Sequence, residues 1–141
     1  MQWNQLLNAQ RQGDQPLQAA EPGRSAYHKD YDRIVFSNAF RRLERKTQVH
    51  PFAVNDHVHN RLTHSIEVSC IGRSLGTLAG TSIIDQLPAG VSPVEVGAIV
   101  QAAALAHDIG NLPFGHSGEE AVRHWFKNPA SGWALAGMNE Q

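Results

Sequence analysis

His107 and Asp108 stand side by side at the end of an apolar run and are followed by Gly110, Pro113, Gly115 and His116. An imidazole and a carboxylate placed where a helix has to stop put two metal-ligating groups at a turn, which is the outline of a metal site. The helix leading to them has a legible start. Ser92-Pro93-Val94-Glu95 reads as a capping box with proline at the first helical position, and Gly110 marks its end. Val96, Val100, Ala103 and His107 fall at i, i+4, i+7 and i+11, so the spacing predicts one buried stripe that carries the histidine. The alanines around it permit close helix packing.

A second helix is predicted from about Arg61 to Gly80, with Val68, Ile71, Leu75 and Leu78 as its buried stripe. His64 lies four residues before Val68 and falls on that stripe. Alone, it reads as a hydrogen-bonded core histidine. Two buried histidines and a carboxylate are costly unless something satisfies them, and a divalent cation does so; the alternative is a hydrogen-bonded His-Asp structural pair. Imidazole with carboxylate suits Mn, Fe, Co or Zn better than Ca. The set lacks thiolate, which argues against a structural zinc knot.

Length and composition limit what such a site belongs to. One domain is expected from 141 residues with 41% hydrophobic content. A net charge of −1 provides no global basic field to draw the chain onto nucleic acid or anionic lipid. The single Cys70 lies in an apolar helical pattern and is expected to be buried, and no disulfide framework is possible. No stretch of about 18 apolar residues occurs, so no membrane association is expected and a cytoplasmic protein fits.

The flanking segments are less periodic. Residues 1–26 are polar and glutamine-rich, with Gly13, Pro16, Pro22 and Gly23, and read as a poorly ordered N-terminal extension ahead of a domain over 27–141. From Asp30, Phe36, Phe40 and Leu43 take helical spacing while Arg41, Arg42, Arg45 and Lys46 crowd the remaining surface. That is a short basic helix, either a solvated face or an anion-binding surface. Residues 47–60 read as a loop in which His57 and His59 are exposed or ligating. Ser117-Gly118-Glu119-Glu120 reads as a second capping box with Ser117 as its cap. That leaves Glu119 beside His116 as a candidate acid/base pair, or as a complement to the helix dipole. Asn128-Pro129 ends the helix, and periodicity is lost beyond it.

Read in series, these segments carry a family resemblance. Asp30-Tyr31-Asp32-Arg33-Ile34 through Asn38-Ala39-Phe40-Arg41-Arg42-Leu43, then Lys46-Thr47-Gln48-Val49, then Arg61-Leu62-Thr63-His64-Ser65, and His107-Asp108-Ile109-Gly110-Asn111-Leu112-Pro113-Phe114-Gly115-His116 resemble the deoxyguanosine triphosphate triphosphohydrolase family of the HD-domain superfamily. The similarity extends from about Arg24 to Phe126. It implies an all-α HD-domain fold and metal-dependent hydrolysis of a deoxynucleoside triphosphate to the nucleoside and tripolyphosphate. It also implies a divalent cofactor (Mn, Mg, Fe or Co), an oligomeric parent and, as further candidate partners, allosteric nucleotides or single-stranded DNA.

By position, the resemblance assigns His64, His107 and Asp108 to three of four metal ligands, and Arg61 to a triphosphate contact. It assigns Gln48 and Val49 to the deoxyribose, Asn111 to substrate binding, and His116 and Glu119 to acid/base chemistry. The superfamily's fourth ligand is an aspartate well downstream of the HD pair, and no aspartate follows Asp108 here. The chain is therefore expected to be an N-terminal portion, truncated before the helix with the last ligand and weakly active or inactive alone. Two other functional classes fit the same residues: a non-catalytic nucleotide- or DNA-binding module, and an HD phosphodiesterase acting on another nucleotide.

Overall fold

The computed structural model describes residues 2–10, 23–46, 60–112 and 114–135. Among the described residues it is all helical, as the sequence leads one to expect. The α-helices are α1 (Trp3–Leu6), α2 (Ala26–Phe36), α3 (Asn38–Arg41), α4 (Arg61–Ser82), α5 (Pro93–Ala106), α6 (His116–Lys127) and α7 (Gly132–Leu135). Short 3-10 turns follow α3, α4 and α6. The chain divides into two compact units, Met1–Ile109 and Gly110–Gln141.

In the first unit, α4 and α5 pack antiparallel through small side chains. The buried residues of α4 are Ser65, Ser69, Gly72, Gly76 and Gly80, and those of α5 are Gly97, Ala98, Ala102 and Leu105. A Cβ placed on Gly76 would lie 2.9 Å from the Val100 Cβ and 3.0 Å from the Gly97 Cα. One on Gly72 would lie 3.0 Å from the Ala104 Cβ, and one on Gly80 would lie 2.9 Å from the Pro93 Cα. The two backbones thus approach closer than side chains on both helices would permit.

This seam corrects the predicted stripes. Ile71, Leu75 and Leu78 are 61%, 59% and 67% exposed, and Ala103 is exposed as well. Cys70, on the outer side of α4, is exposed rather than buried. The periodicity of the large apolar residues was a poor guide because α4 buries the face with the smallest side chains, where contact between helices is closest.

The remaining core lies beneath the α5 C-terminus. Phe40, Leu43 and Leu105 are buried together, with Tyr31, Ile34, Val35, Leu62 and Ile109 packed around them. The single basic helix expected from Asp30 is instead broken at Ser37. Its hydroxyl donates to the Ile34 carbonyl at 2.8 Å and accepts from the Phe40 N–H at 3.2 Å, closing α2 and capping α3 with one side chain. Phe36 is left exposed at the break, while Phe40 and Leu43 turn inward. Arg41, Arg42 and Arg45 remain on the surface.

At the other end of α2, Ser25 caps the helix by accepting from the His28 N–H, and Arg24 pairs with Asp32. Two hydrogen bonds tie described residues near the N-terminus to the rest of this unit. The Tyr27 hydroxyl donates to the Leu7 carbonyl at 2.9 Å, and the Trp3 indole donates to Gln86 at 3.2 Å.

In the second unit, α6 begins two residues earlier than the sequence predicts. Gly115, with φ of 53°, is its N-cap and no side chain caps it, so the expected Ser117 capping box does not form. Glu120 pairs with Arg123 at 2.7 Å instead. Asn128 ends α6 as expected and caps the following turn by accepting from the Ala130 N–H at 3.0 Å.

Candidate metal centre

The seam between α4 and α5 has a register that extends to the site. Gly80 faces Pro93, Gly76 faces Val100 and Gly72 faces Ala104. Two to three turns further along α4 toward its start, the same antiparallel pairing sets His64 and Arg61 opposite His107 and Asp108. The sequence builds both ends firmly. Asn60 caps α4 by accepting from the Thr63 N–H at 2.9 Å while Thr63 Oγ1 accepts from the Asn60 N–H at 3.1 Å. Arg61 and His64, three residues apart in the first turn, therefore project from one face.

At the end of α5, His107 keeps helical dihedrals as the C-cap, and Gly110 turns the chain with φ of 86°. The His107 Nδ1 lies 2.7 Å from the Ala104 carbonyl. A carbonyl only accepts, so Nδ1 carries the proton and Nε2 is left with its lone pair. Asp108 is 5% exposed. Its Oδ1 accepts from Arg61 Nη1 at 3.0 Å and lies 3.8 Å from His107 Nε2.

The rings of His64 and His107 meet edge to face, with centroids 5.3 Å apart and planes at 68°. One donor atom from each of His64, His107 and Asp108 lies within 4.8 Å of the other two. Ligand bonds of about 2.0–2.2 Å to a first-row cation put donors about 3–4 Å apart, a spacing that small side-chain rotations reach from here. Two imidazoles, one with its tautomer fixed by a backbone carbonyl, and one carboxylate form a donor set suited to a divalent first-row ion.

The other candidate residues are placed as follows. His116 and Glu119 lie in the first turn of α6, with Nδ1 and Oε2 3.4 Å apart and both side chains solvent-exposed. Asn111 is exposed in the second unit. Gln48, Val49, His57 and His59 lie outside the described residues. Two features escaped the sequence reading: the Ala104 carbonyl that orients His107, and the ion pair between Arg61 and Asp108. The first follows from helix geometry once His107 is known to be the cap. The second had no local signal, since 47 residues separate the partners.

Residues 61–134 match the HD domain. Over 134 residues the chain is 58% identical to a protein of Pseudomonas aeruginosa named deoxyguanosinetriphosphate triphosphohydrolase-like protein, covering 94% of this chain and 30% of that one. Proteins of the same name from Synechocystis sp. and Listeria monocytogenes are 53% and 42% identical, over 90% and 91% of this chain and 29% of each relative. The chain thus spans about 30% of the length of the curated relatives it matches. Because the match begins at Arg61, runs through both histidines and Asp108, and takes in more than half of the sequence, the chain belongs to the HD-domain family.

Proposed function

We propose that this chain carries most of the metal-binding face of a phosphohydrolase that cleaves a dGTP-like deoxynucleoside triphosphate to the nucleoside and tripolyphosphate. The observation that carries the reading is the convergence of His64, His107 and Asp108 within 4.8 Å. The names of the relatives supply the substrate class. A divalent cation held by these three residues would supply positive charge for a phosphate and make a nearby water more acidic.

The chain's own side chains account for the other requirements. Attack of water on the α-phosphorus forms a new P–O bond, breaks the bond to the 5′ oxygen and requires a proton on that oxygen. His116 is assigned as the donor, with Glu119 holding its other ring nitrogen. Arg61, with five N–H donors in a fixed fork, is assigned to the triphosphate, and Gln48, Val49 and Asn111 to the rest of the substrate. No aspartate follows Asp108 to complete a fourth ligand, so the chain by itself is expected to bind metal weakly and to turn over little.

The test is product analysis. A protein of the relatives' full length bearing this segment should release tripolyphosphate from dGTP with Mn2+, and lose that activity in His107→Ala. Release of orthophosphate or pyrophosphate would mean that a phosphoanhydride bond is cleaved instead, and would overturn the reading. A second reading rests on the exposed Arg41, Arg42 and Arg45: salt-dependent binding of single-stranded DNA that survives His107→Ala would favour a nucleic-acid-binding role for this surface.

A further inference from the structure

Arg61 is assigned to a substrate phosphate, yet its guanidinium is already engaged. Nη1 donates to Asp108 Oδ1 at 3.0 Å, with the two side chains only 23% and 7% exposed. The oxygen it holds is also the one 3.8 Å from His107 Nε2. A fixed positive charge therefore lies within bonding distance of the carboxylate that a cation would share. In a partly buried setting, screening by water is weak and like charges this close repel strongly.

Resting on the metal-site reading above, we propose that Arg61 is an internal counter-cation that competes with the metal for Asp108. It balances the carboxylate when no ion is bound, and it lowers metal affinity below what the same three ligands would give without it. Binding of the ion weakens its hold on Oδ1, so its N–H donors turn more readily to an anion when the site is loaded. Linkage makes this reciprocal: an anion that neutralises Arg61 tightens metal binding by the same factor that the metal tightens anion binding. The arrangement makes metal and phosphate bind with positive cooperativity, each favouring the other.

This role differs in sign from that of a residue that merely positions Asp108. If Arg61 served only to orient the carboxylate, its removal would weaken metal binding; as a competitor, its removal strengthens it. The experiment is Mn2+ titration by calorimetry and by the Mn2+ paramagnetic resonance signal, on the 141-residue chain and its Arg61→Gln, Arg61→Lys and His107→Ala variants. Arg61→Gln keeps an N–H donor for Asp108 and removes the charge, and it should bind Mn2+ at least about tenfold tighter. Arg61→Lys keeps the charge and should stay within about threefold of the parent. Equal or weaker binding by Arg61→Gln overturns the proposal.

His107→Ala serves as the internal control. If it binds Mn2+ as well as the parent does, or if neither the parent nor Arg61→Gln binds, the metal-site reading fails along with the inference. If the affinity order holds but no tripolyphosphate is formed by the longer protein, the substrate reading alone is lost.

Discussion

His107 Nδ1 donates to the carbonyl of Ala104, one helical turn earlier, at 2.7 Å. The bond uses an orphan carbonyl of the last turn of α5 and fixes which ring nitrogen remains available, so one contact both finishes the helix and aims the ligand. Because the side chain of His107 is 37% exposed, little packing is lost when it is replaced. His107→Ala should fold with a melting temperature within about 2–4 °C of the parent. It should also lose any rise in that temperature produced by millimolar Mn2+. Differential scanning calorimetry with and without Mn2+ measures both.

Gly76 presents the opposite case, a residue remote from the ligands on which their spacing depends. Alanine at this position gains up to about 1 kcal/mol of helix propensity. The added carbon meets the Val100 Cβ at 2.9 Å and the Gly97 Cα at 3.0 Å, and the backbone atom cannot rotate away. Overpacking of this kind costs about 1–3 kcal/mol, so Gly76→Ala should be destabilising on balance. Urea unfolding would show it as a lower midpoint. A Mn2+ titration should show a loss of affinity as well, although residue 76 touches no ligand.

Leu105 and Leu75 test which face of the helix pair is the core. Leu105 is fully buried and Leu75 is 59% exposed. Leu105→Ala should cost about 2–5 kcal/mol, whereas Leu75→Ala should change stability by less than about 1 kcal/mol in this chain. Equal losses in denaturant melts would contradict the seam described here.

Tyr27 gives a pH dependence with a definite sign. Burial, then the negative charges of Glu95 and Asp30, push its phenol above the ordinary tyrosine value of 10.0. The folded state therefore holds the proton more tightly than the unfolded chain, and the neutral hydroxyl is the form that donates to Leu7. Its contribution is fully present below about pH 10 and is lost as pH rises through the folded value. Ultraviolet titration should show a tyrosine ionising above the ordinary value of 10.0, and Tyr27→Phe should abolish that step. Tyr27→Phe should also cost about 0.5–1.5 kcal/mol at neutral pH and expose the Trp3–Leu6 segment to limited proteolysis.

Much of this was legible in the sequence where the signal was local. The start of α5 is set by Ser92, Pro93 and Glu95, and the Glu95 carboxylate accepts from the Ser92 N–H at 2.8 Å as that pattern requires. The helix stops at Ala106 with His107 as its C-cap, one turn before the Gly110 that the sequence marks. Burial was misjudged because large apolar residues dominate periodicity, while Gly72, Gly76 and Gly80, equally regular at every fourth position, carry no hydrophobic signal. Ser37 went unrecognised as a break because one serine inside an aromatic and basic pattern is weak punctuation until its two hydrogen bonds are seen. The convergence of His64 with His107 and Asp108 was anticipated from helical phase and family resemblance. The phase argument used the wrong stripe, and the register of the glycine seam is what brings the two helix ends together.

That seam has a mechanical consequence. Held at van der Waals contact along most of its length, the α4–α5 pair behaves as a calliper whose jaws are the first turn of one helix and the last turn of the other. An ion gripped between the jaws would resist their parting, so prying the helices open and stripping the cation become a single event. Binding of the ion should then slow amide hydrogen exchange at the abutting ends of α4 and α5 more than at their far ends near Gly80 and Pro93.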